Sequence, residues 1–440
     1  MMNKHILKRY FCGLLAGVLT LSLVGCSKEK TVELVDKPEQ ATIIRLYSGG
    51  GNFSDSNPAK YWSDNFQKET GIPAVIHYNE EGEYYAAAGQ DSRTILRNRI
   101  ESDQPDDMYI VQAEDMIEFA RKGYILDLSD FDFVGNLSET ARQLSTIDGK
   151  VYCLPLVYTG FGLYWNVDLL AEHGLEVPEN YQELIAVWDA LVDKGITPYA
   201  GNMDYGLSVP AMCLSLNAVY GSPDKDRLLA DLTDGTTPIS TYARKGFEFI
   251  ALMRERGYVG PKTGEIKPKS EEEAALFQGG KAACVCSAGC TVLYNDPEAT
   301  GFAVKMTGWP LLEDGYISVV GTSKKLCINP ASKHLDVATA FVEMAGSEEA
   351  LVWCTDTGKV SAGKVNDPAK YLETEKEFDE LIQTPGQIPN TDMNLKLNLW
   401  EHVRDISRLV VTGEISVDDA CRMLDEKQQQ DIAANASSGS

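Results

Sequence analysis

The sequence predicts an α/β fold in two lobes, on three observations. Strand-like and helical runs alternate from Thr42 onward, amphipathic helical stretches dominate the second half, and about 400 residues lie between Ala41 and the end of the chain. A single hydrophobic core rarely grows that large, so the chain is expected to divide.

The first strand is Thr42 to Tyr47, ended by Ser48-Gly49-Gly50-Gly51. Pro58 to Thr70 has helical spacing through Trp62 and Phe66 and stops at Gly71. Ala74 to Tyr78 is the second strand. A helical run, Arg93 to Ser102, leads through Pro105 to a short strand, Met108 to Val111, and a helix from Glu114 to Lys122 closes at Gly123. This β-α-β-α-β rhythm implies a parallel sheet. Ligands of open α/β sheets bind beyond the carboxyl ends of the strands, which are the loops Ser48 to Asn52, Asn79 to Tyr85 and Gln112 to Asp115.

Farther along, Asn180 with Glu183 forms a capping box ahead of a helix whose apolar positions are Leu184, Val187, Trp188 and Leu191, and Gly195 is its stop. Further helices are expected at Tyr242 to Arg256, Val337 to Ala345, Leu397 to Leu409 and Val417 to Leu424. The polar tail from 429 to 440 is expected to be disordered. Trp62, Trp165 and Trp188 read as packing, while Trp353 and Trp400 read either way.

The N-terminus reads as targeting. Lys4, Lys8 and Arg9 precede sixteen uncharged residues, Tyr10 to Gly25, which is too short for the roughly 20 residues of a membrane span and suits an export signal. Leu23-Val24-Gly25-Cys26 resembles the lipobox of bacterial lipoproteins, which implies lipidation of Cys26 and cleavage before it. Ser27 to Gln40 is polar, a solvated tether. Removing 1–25, with three bases and no acids, takes the net charge from -25 to -28. Such a surface repels nucleic acid and anionic lipid, and no nucleic-acid partner is expected.

Eight cysteines follow Cys26, inside apolar strings such as Val151-Tyr152-Cys153-Leu154, and read as buried thiols. Cys284, Cys286 and Cys290 lack a second Cys or His pair nearby, so no metal is expected, and no cofactor is implied. Among enzymes, Ser63-Asp64-Asn65 and Lys262-Thr263-Gly264 imitate two motifs of serine β-lactamases, but no Ser-x-x-Lys precedes them in a folded segment. A lipid-anchored glycoside hydrolase needs only two carboxylates, and among 65 acidic residues acid pairs carry no information.

The ordered motifs carry a resemblance. Trp62-Ser63-Asp64-Asn65-Phe66, Gln104-Pro105-Asp106-Asp107, Gly123-Tyr124-Ile125-Leu126-Asp127-Leu128, Asp148-Gly149-Lys150-Val151-Tyr152, Leu163-Tyr164-Trp165-Asn166-Val167-Asp168, Phe277-Gln278-Gly279-Gly280-Lys281-Ala282 and Ile388-Pro389-Asn390 with Trp400 succeed one another. The chain resembles the sugar-type extracellular solute-binding lipoproteins of ABC importers, maltose-binding-protein-like and of family 1. That resemblance implies a periplasmic-binding-protein type II fold, each lobe a mostly parallel sheet flanked by helices, with a multi-crossing hinge near Val157 to Gly162, Leu312 to Val320 and Lys364 to Lys370. Lobe 1 is then 41–157 plus 321–366, and lobe 2 is 162–314 plus 370–428. Gly160, Gly162, Gly315 and Gly321 are expected to absorb backbone rotation on closure.

The resemblance further implies a monomeric, non-enzymatic receptor, lipid-anchored through Cys26 at the outer face of a Gram-positive membrane, that captures an oligosaccharide and passes it to permease subunits. A sensor for a membrane kinase is the alternative destination. The implied ligand contacts are Ser48, Asn52, Glu81, Tyr85, Gln112, Glu114, Asp115 and Tyr158, then Asn202, Asp204, Tyr205, Ser287 and Trp309. Where many relatives carry a sugar-stacking tryptophan, this chain has Ser287-Ala288-Gly289-Cys290, so Trp309 or the Tyr84-Tyr85 pair is expected to supply the platform.

Overall fold

The computed structural model describes residues 41–49, 57–82, 91–288, 300–357, 359–371 and 373–438. The expectations placed on 1–40, including Cys26, and on Asn52, Tyr84, Tyr85 and Cys290, lie outside them. Local chemistry sets many element ends. The Asn57 side chain accepts from Ala59 N at 3.1 Å to start the helix Pro58–Thr70, which Gly71 ends at φ 71. Asn180 accepts from Glu183 N at 3.0 Å and starts the helix Tyr181–Val192.

Twelve strands are formed among the described residues: β1 (Thr42–Ser48), β2 (Ala74–Asn79), β3 (Met108–Val111), β4 (Thr146–Ile147), β5 (Lys150–Val151), β6 (Val157–Asn166), β7 (Thr197–Ala200), β8 (Ala282–Ala288), β9 (Val304–Thr307), β10 (Val319–Ser323), β11 (Lys325–Ile328) and β12 (Ile388–Pro389). The first sheet has the order β11-β3-β1-β2, parallel except for β11. The second runs β12-β10-β6-β8-β7, with β9 also on β6. It is mixed rather than mostly parallel, because the long β6 pairs antiparallel with β8, β9 and β10.

The strand pairings place two of the three expected crossings. Leu154 bridges Leu326 of the first sheet, while Val157 already pairs with Ser323 of the second, so the first passage is between them. The return passage is equally abrupt. It occurs at Lys324, φ 54, between β10 and β11, and not within Leu312 to Val320. Three of the four hinge glycines stand where a side chain would clash: a Cβ on Gly162 would lie 2.1 Å from the Met306 side chain, on Gly321 2.5 Å from Asn390, and on Gly160 3.0 Å from Phe378. Gly315 alone of the four has a positive φ, 85.

The second-lobe core gathers Trp165, Trp188, Tyr199, Phe247 and Trp309 with the thiols Cys213, Cys284 and Cys286. Among the described residues, Cys153, Cys213, Cys284, Cys286, Cys327 and Cys421 are buried free thiols, and Cys354 is buried. Burial pushes the Cys284 and Cys213 thiols up, which disfavours the reactive thiolate. The C-terminal tail is corrected over its described residues: helix Val417–Ser438 continues through 429–438. Gln428 is buried and donates to the Leu232 and Thr237 carbonyls, Asp431 takes His402 Nε2 at 3.0 Å, and Asn435 donates to the Lys396 carbonyl at 2.7 Å. Polarity there marks partners rather than disorder.

Candidate functional site

The parallel register puts the carboxyl ends of β1, β2 and β3 on one edge, with Tyr47 opposite Asn79 and Ser48 opposite Ile110. Ser48 is buried there, Glu81 is exposed with Arg99 Nη1 at 3.8 Å, and Gln112 is half-buried. Gln112 precedes the helix Ala113–Arg121, whose first turn holds Glu114 and Asp115 beside the partial positive charge of the helix start. Asp115 is fully buried. It accepts from Arg93 Nε and Nη2, each at 3.0 Å, and from Arg97 Nη2 at 2.7 Å. Its carboxylate is thereby saturated, so Asp115 positions Arg93 and is not an open acceptor. The third Arg93 nitrogen, Nη1, reaches Glu401 Oε1 of the other lobe at 3.3 Å.

In the second lobe the strand β7 ends beside Asn202, which is fully buried. Its Oδ1 accepts from Asp204 N and Gly206 N, both at 3.0 Å, and its Nδ2 donates to Glu273 Oε1 at 2.6 Å. Asn202 therefore shapes the start of helix Tyr205–Tyr220 and has no polar atom to offer outward. Burial pushes the Glu273 carboxyl up, opposed by its bonds from Asn202 and Lys269 N. What Asn202 presents is Asp204. The Oδ1 of Asp204 is buried without a hydrogen-bond partner, and this desolvation raises its carboxyl above the usual carboxylate range against the nearby Arg404 charge.

Tyr205 continues the site as an aromatic row. Its ring lies 5.1 Å from Phe161 of β6 at 33°, and Phe161 stacks on Trp400 at 5.2 Å and 21°. Phe161 and Trp400 are half-buried, so ring surface remains accessible. Arg404 follows Trp400 by one helical turn in Leu399–Thr412 and donates to Asp405 at 2.9 Å. The two lobes thus contribute an aromatic row, one unsatisfied acid, and cations held by acids. Such a set suits a ligand with apolar faces and many hydroxyls.

Other expected contacts sit elsewhere. Trp309 is wholly buried, edge-on to Tyr199 at 5.3 Å and to Trp188 at 6.5 Å, so it is core and not a stacking platform. Tyr158 is buried and its hydroxyl is 2.5 Å from Ser138 Oγ, which occupies it. Ser287 is buried in β8 opposite Gly162. Trp353 stacks on Tyr61 at 3.7 Å as packing. Arg93, Phe161, Glu401 and Arg404 are not among the contacts that sequence reasoning finds. For Glu401 and Arg404 a signal existed, their place beside Trp400 and one turn beyond it on a single amphipathic helix. A groove of about 740 Å³ is lined by Thr140, Tyr220, Val320, Pro389 and Asp392 among others. A neighbouring pocket shares Tyr220, Pro389, Thr391 and Asp392 with it and is lined by Trp400 as well, while Val320 of the groove pairs with Gly160, next to Phe161.

Comparison with known proteins bears on this geometry. The family model described as bacterial extracellular solute-binding protein matches residues 51–352. A multiple sugar-binding protein of Streptococcus mutans is 26% identical over 345 residues, covering 77% of this chain and 78% of that protein. The apo form of RafE from Streptococcus pneumoniae superposes with TM-score 0.71 at 17% identity, over 90% of this chain and 99% of that one. A family 1 extracellular solute-binding protein from Bifidobacterium longum subsp. infantis gives TM-score 0.70 at 20% identity, over 89% and 99%.

Proposed function

The chain belongs to the bacterial extracellular solute-binding proteins, and from that premise we propose that it captures an oligosaccharide between its lobes and delivers it to an ABC permease. The observation that carries this reading is the Tyr205-Phe161-Trp400 row beside the unpartnered carboxylate oxygen of Asp204. Sugar rings offer C-H faces that pack on aromatic faces, and hydroxyls that donate to a carboxylate. A ligand hydroxyl that reaches Asp204 would donate to this buried carboxylate oxygen. Arg93, Arg404 and Glu114 supply the complementary polar rim. The sugar-binding name of the Streptococcus mutans relative supports the same ligand class.

In this reading the protein performs no chemistry on the sugar. Energy for import comes from a separate subunit that hydrolyses ATP, and Cys26 carries a lipid that keeps the receptor at the outer membrane face. The test is calorimetric titration of the chain against a panel of oligosaccharides, raffinose and maltotetraose among them, with product analysis of each mixture. Tight binding of intact sugar, lost on Trp400→Ala, is the expected result. Shortened sugar would overturn the receptor reading in favour of hydrolysis.

A further inference from the structure

The segment Asp392 to Glu401 belongs to neither lobe alone. Met393 is buried in the first-lobe core with Ile147 and Cys153, whereas Leu395, Leu397 and Leu399 are buried in the second-lobe core. Polar bonds follow the same division. Tyr220 of the second lobe donates to Asp392 Oδ2 at 2.7 Å. Asn394 faces the β4-β5 turn of the first lobe: its Oδ1 accepts from Asp148 N and its Nδ2 donates to the Thr146 carbonyl, each at 3.2 Å.

Two ion pairs then span the lobes. Lys396 Nζ meets Asp148 Oδ1 at 2.8 Å, and Glu401 meets Arg93 at 3.3 Å, with Asn398 Nδ2 fixing the other Glu401 oxygen at 2.6 Å. Both members of the first pair hold left-handed backbone, Asp148 at φ 49 and Lys396 at φ 57, a region that residues other than glycine rarely adopt. Two such conformations meeting in one contact indicate that surrounding structure imposes the contact. Trp400 lies four residues beyond Lys396 and directly before Glu401, so whatever places this segment also places the aromatic row.

We propose that Asp392 to Glu401 is an interlobe clasp whose Lys396–Asp148 and Glu401–Arg93 pairs hold the lobes together and so set how much of the empty protein is ready to bind. The proposal rests on the reading of the chain as a receptor that closes its lobes on a sugar, and it assigns Lys396 and Asp148 to the closure equilibrium and not to ligand contact. Both pairs are partly solvated, so each contributes modestly and salt weakens them.

The experiment uses the full chain without ligand. Spin labels on Glu69→Cys in the first lobe and Glu255→Cys in the second, both exposed positions, report the interlobe distance. Lys396→Gln is expected to raise the ratio of long to short distances about two- to fivefold, the effect of one partly exposed pair. Asp148→Asn should do the same, the double variant no more than either, and the charge exchange D148K with K396D should restore the original distribution. Unchanged distances in Lys396→Gln and Asp148→Asn, or a shift to shorter ones, would overturn the clasp. Because no sugar enters the measurement, its failure is separate from failure of the transport reading.

Discussion

Asp115 and Asp204 stand at matching places in the two lobes, each at the start of a helix that follows a sheet strand, yet they do opposite things. Asp115 is fully buried with both oxygens taken by Arg93 and Arg97, whereas Asp204 is partly exposed with a buried oxygen that has no partner. The first is a structural anion that aims a cation at the other lobe. The second is an acceptor kept in waiting. Position at a strand end therefore does not decide what an acid does; its hydrogen-bond partners do.

The strongest way to break this contrast is to remove each acid in turn. Asp115→Ala should cost about 3 kcal/mol of stability, because it strands two guanidiniums beside a buried site, and denaturant melts will measure it. Asp204→Ala should cost little or nothing in the same melts, since no bond to its Oδ1 is lost. Equal losses would abolish the distinction. Next in size, Trp400→Ala should weaken binding of the sugar found in the calorimetric panel by about 2 kcal/mol, roughly thirtyfold, while Trp309→Ala lowers stability by about 3–5 kcal/mol through a core cavity.

Asp204→Asn should reduce affinity for that sugar by about 1.5 kcal/mol, near tenfold, by replacing a charged acceptor with a neutral one. The smallest effect is in pH. Burial raises the folded Asp204 carboxyl above its ordinary value of 3.8, so the folded form binds the proton more tightly than the unfolded chain does. Its contribution is then fully present below the ordinary value and is lost as pH rises through the raised one. Asp204→Asn should remove that downward slope from stability measured between acid and neutral pH, while substitution of exposed Glu81 should leave it.

Much of this arrangement is legible in the residues themselves. The strands at Thr42, Ala74 and Met108 and the helix from Pro58 are evident because local signals agree: Pro58 and Asn57 at the start, Gly71 at the stop, Trp62 and Phe66 on one face. The site is legible only as a neighbourhood. Asp204 and Tyr205 stand with Asn202 among the expected contacts, but residue type does not show that Asn202 is closed off by Glu273 and two backbone amides. Trp309 is misplaced for the same reason, since a tryptophan after a strand can stack on a ligand or fill a core, and only the packing of Tyr199 and Trp188 decides.

Periodicity, caps and an ordered set of motifs are local properties, and they are enough to settle the class of fold and the family. Packing across the whole chain settles the rest: which polar groups remain unsatisfied, which aromatic rings keep an open face, and that residues 392–401 bridge the lobes. Those outcomes depend on partners more than a hundred residues away, such as Phe161 for Trp400 and Asp148 for Lys396. A local pattern carries no information about contacts at that separation, because they are settled only when the two cores pack.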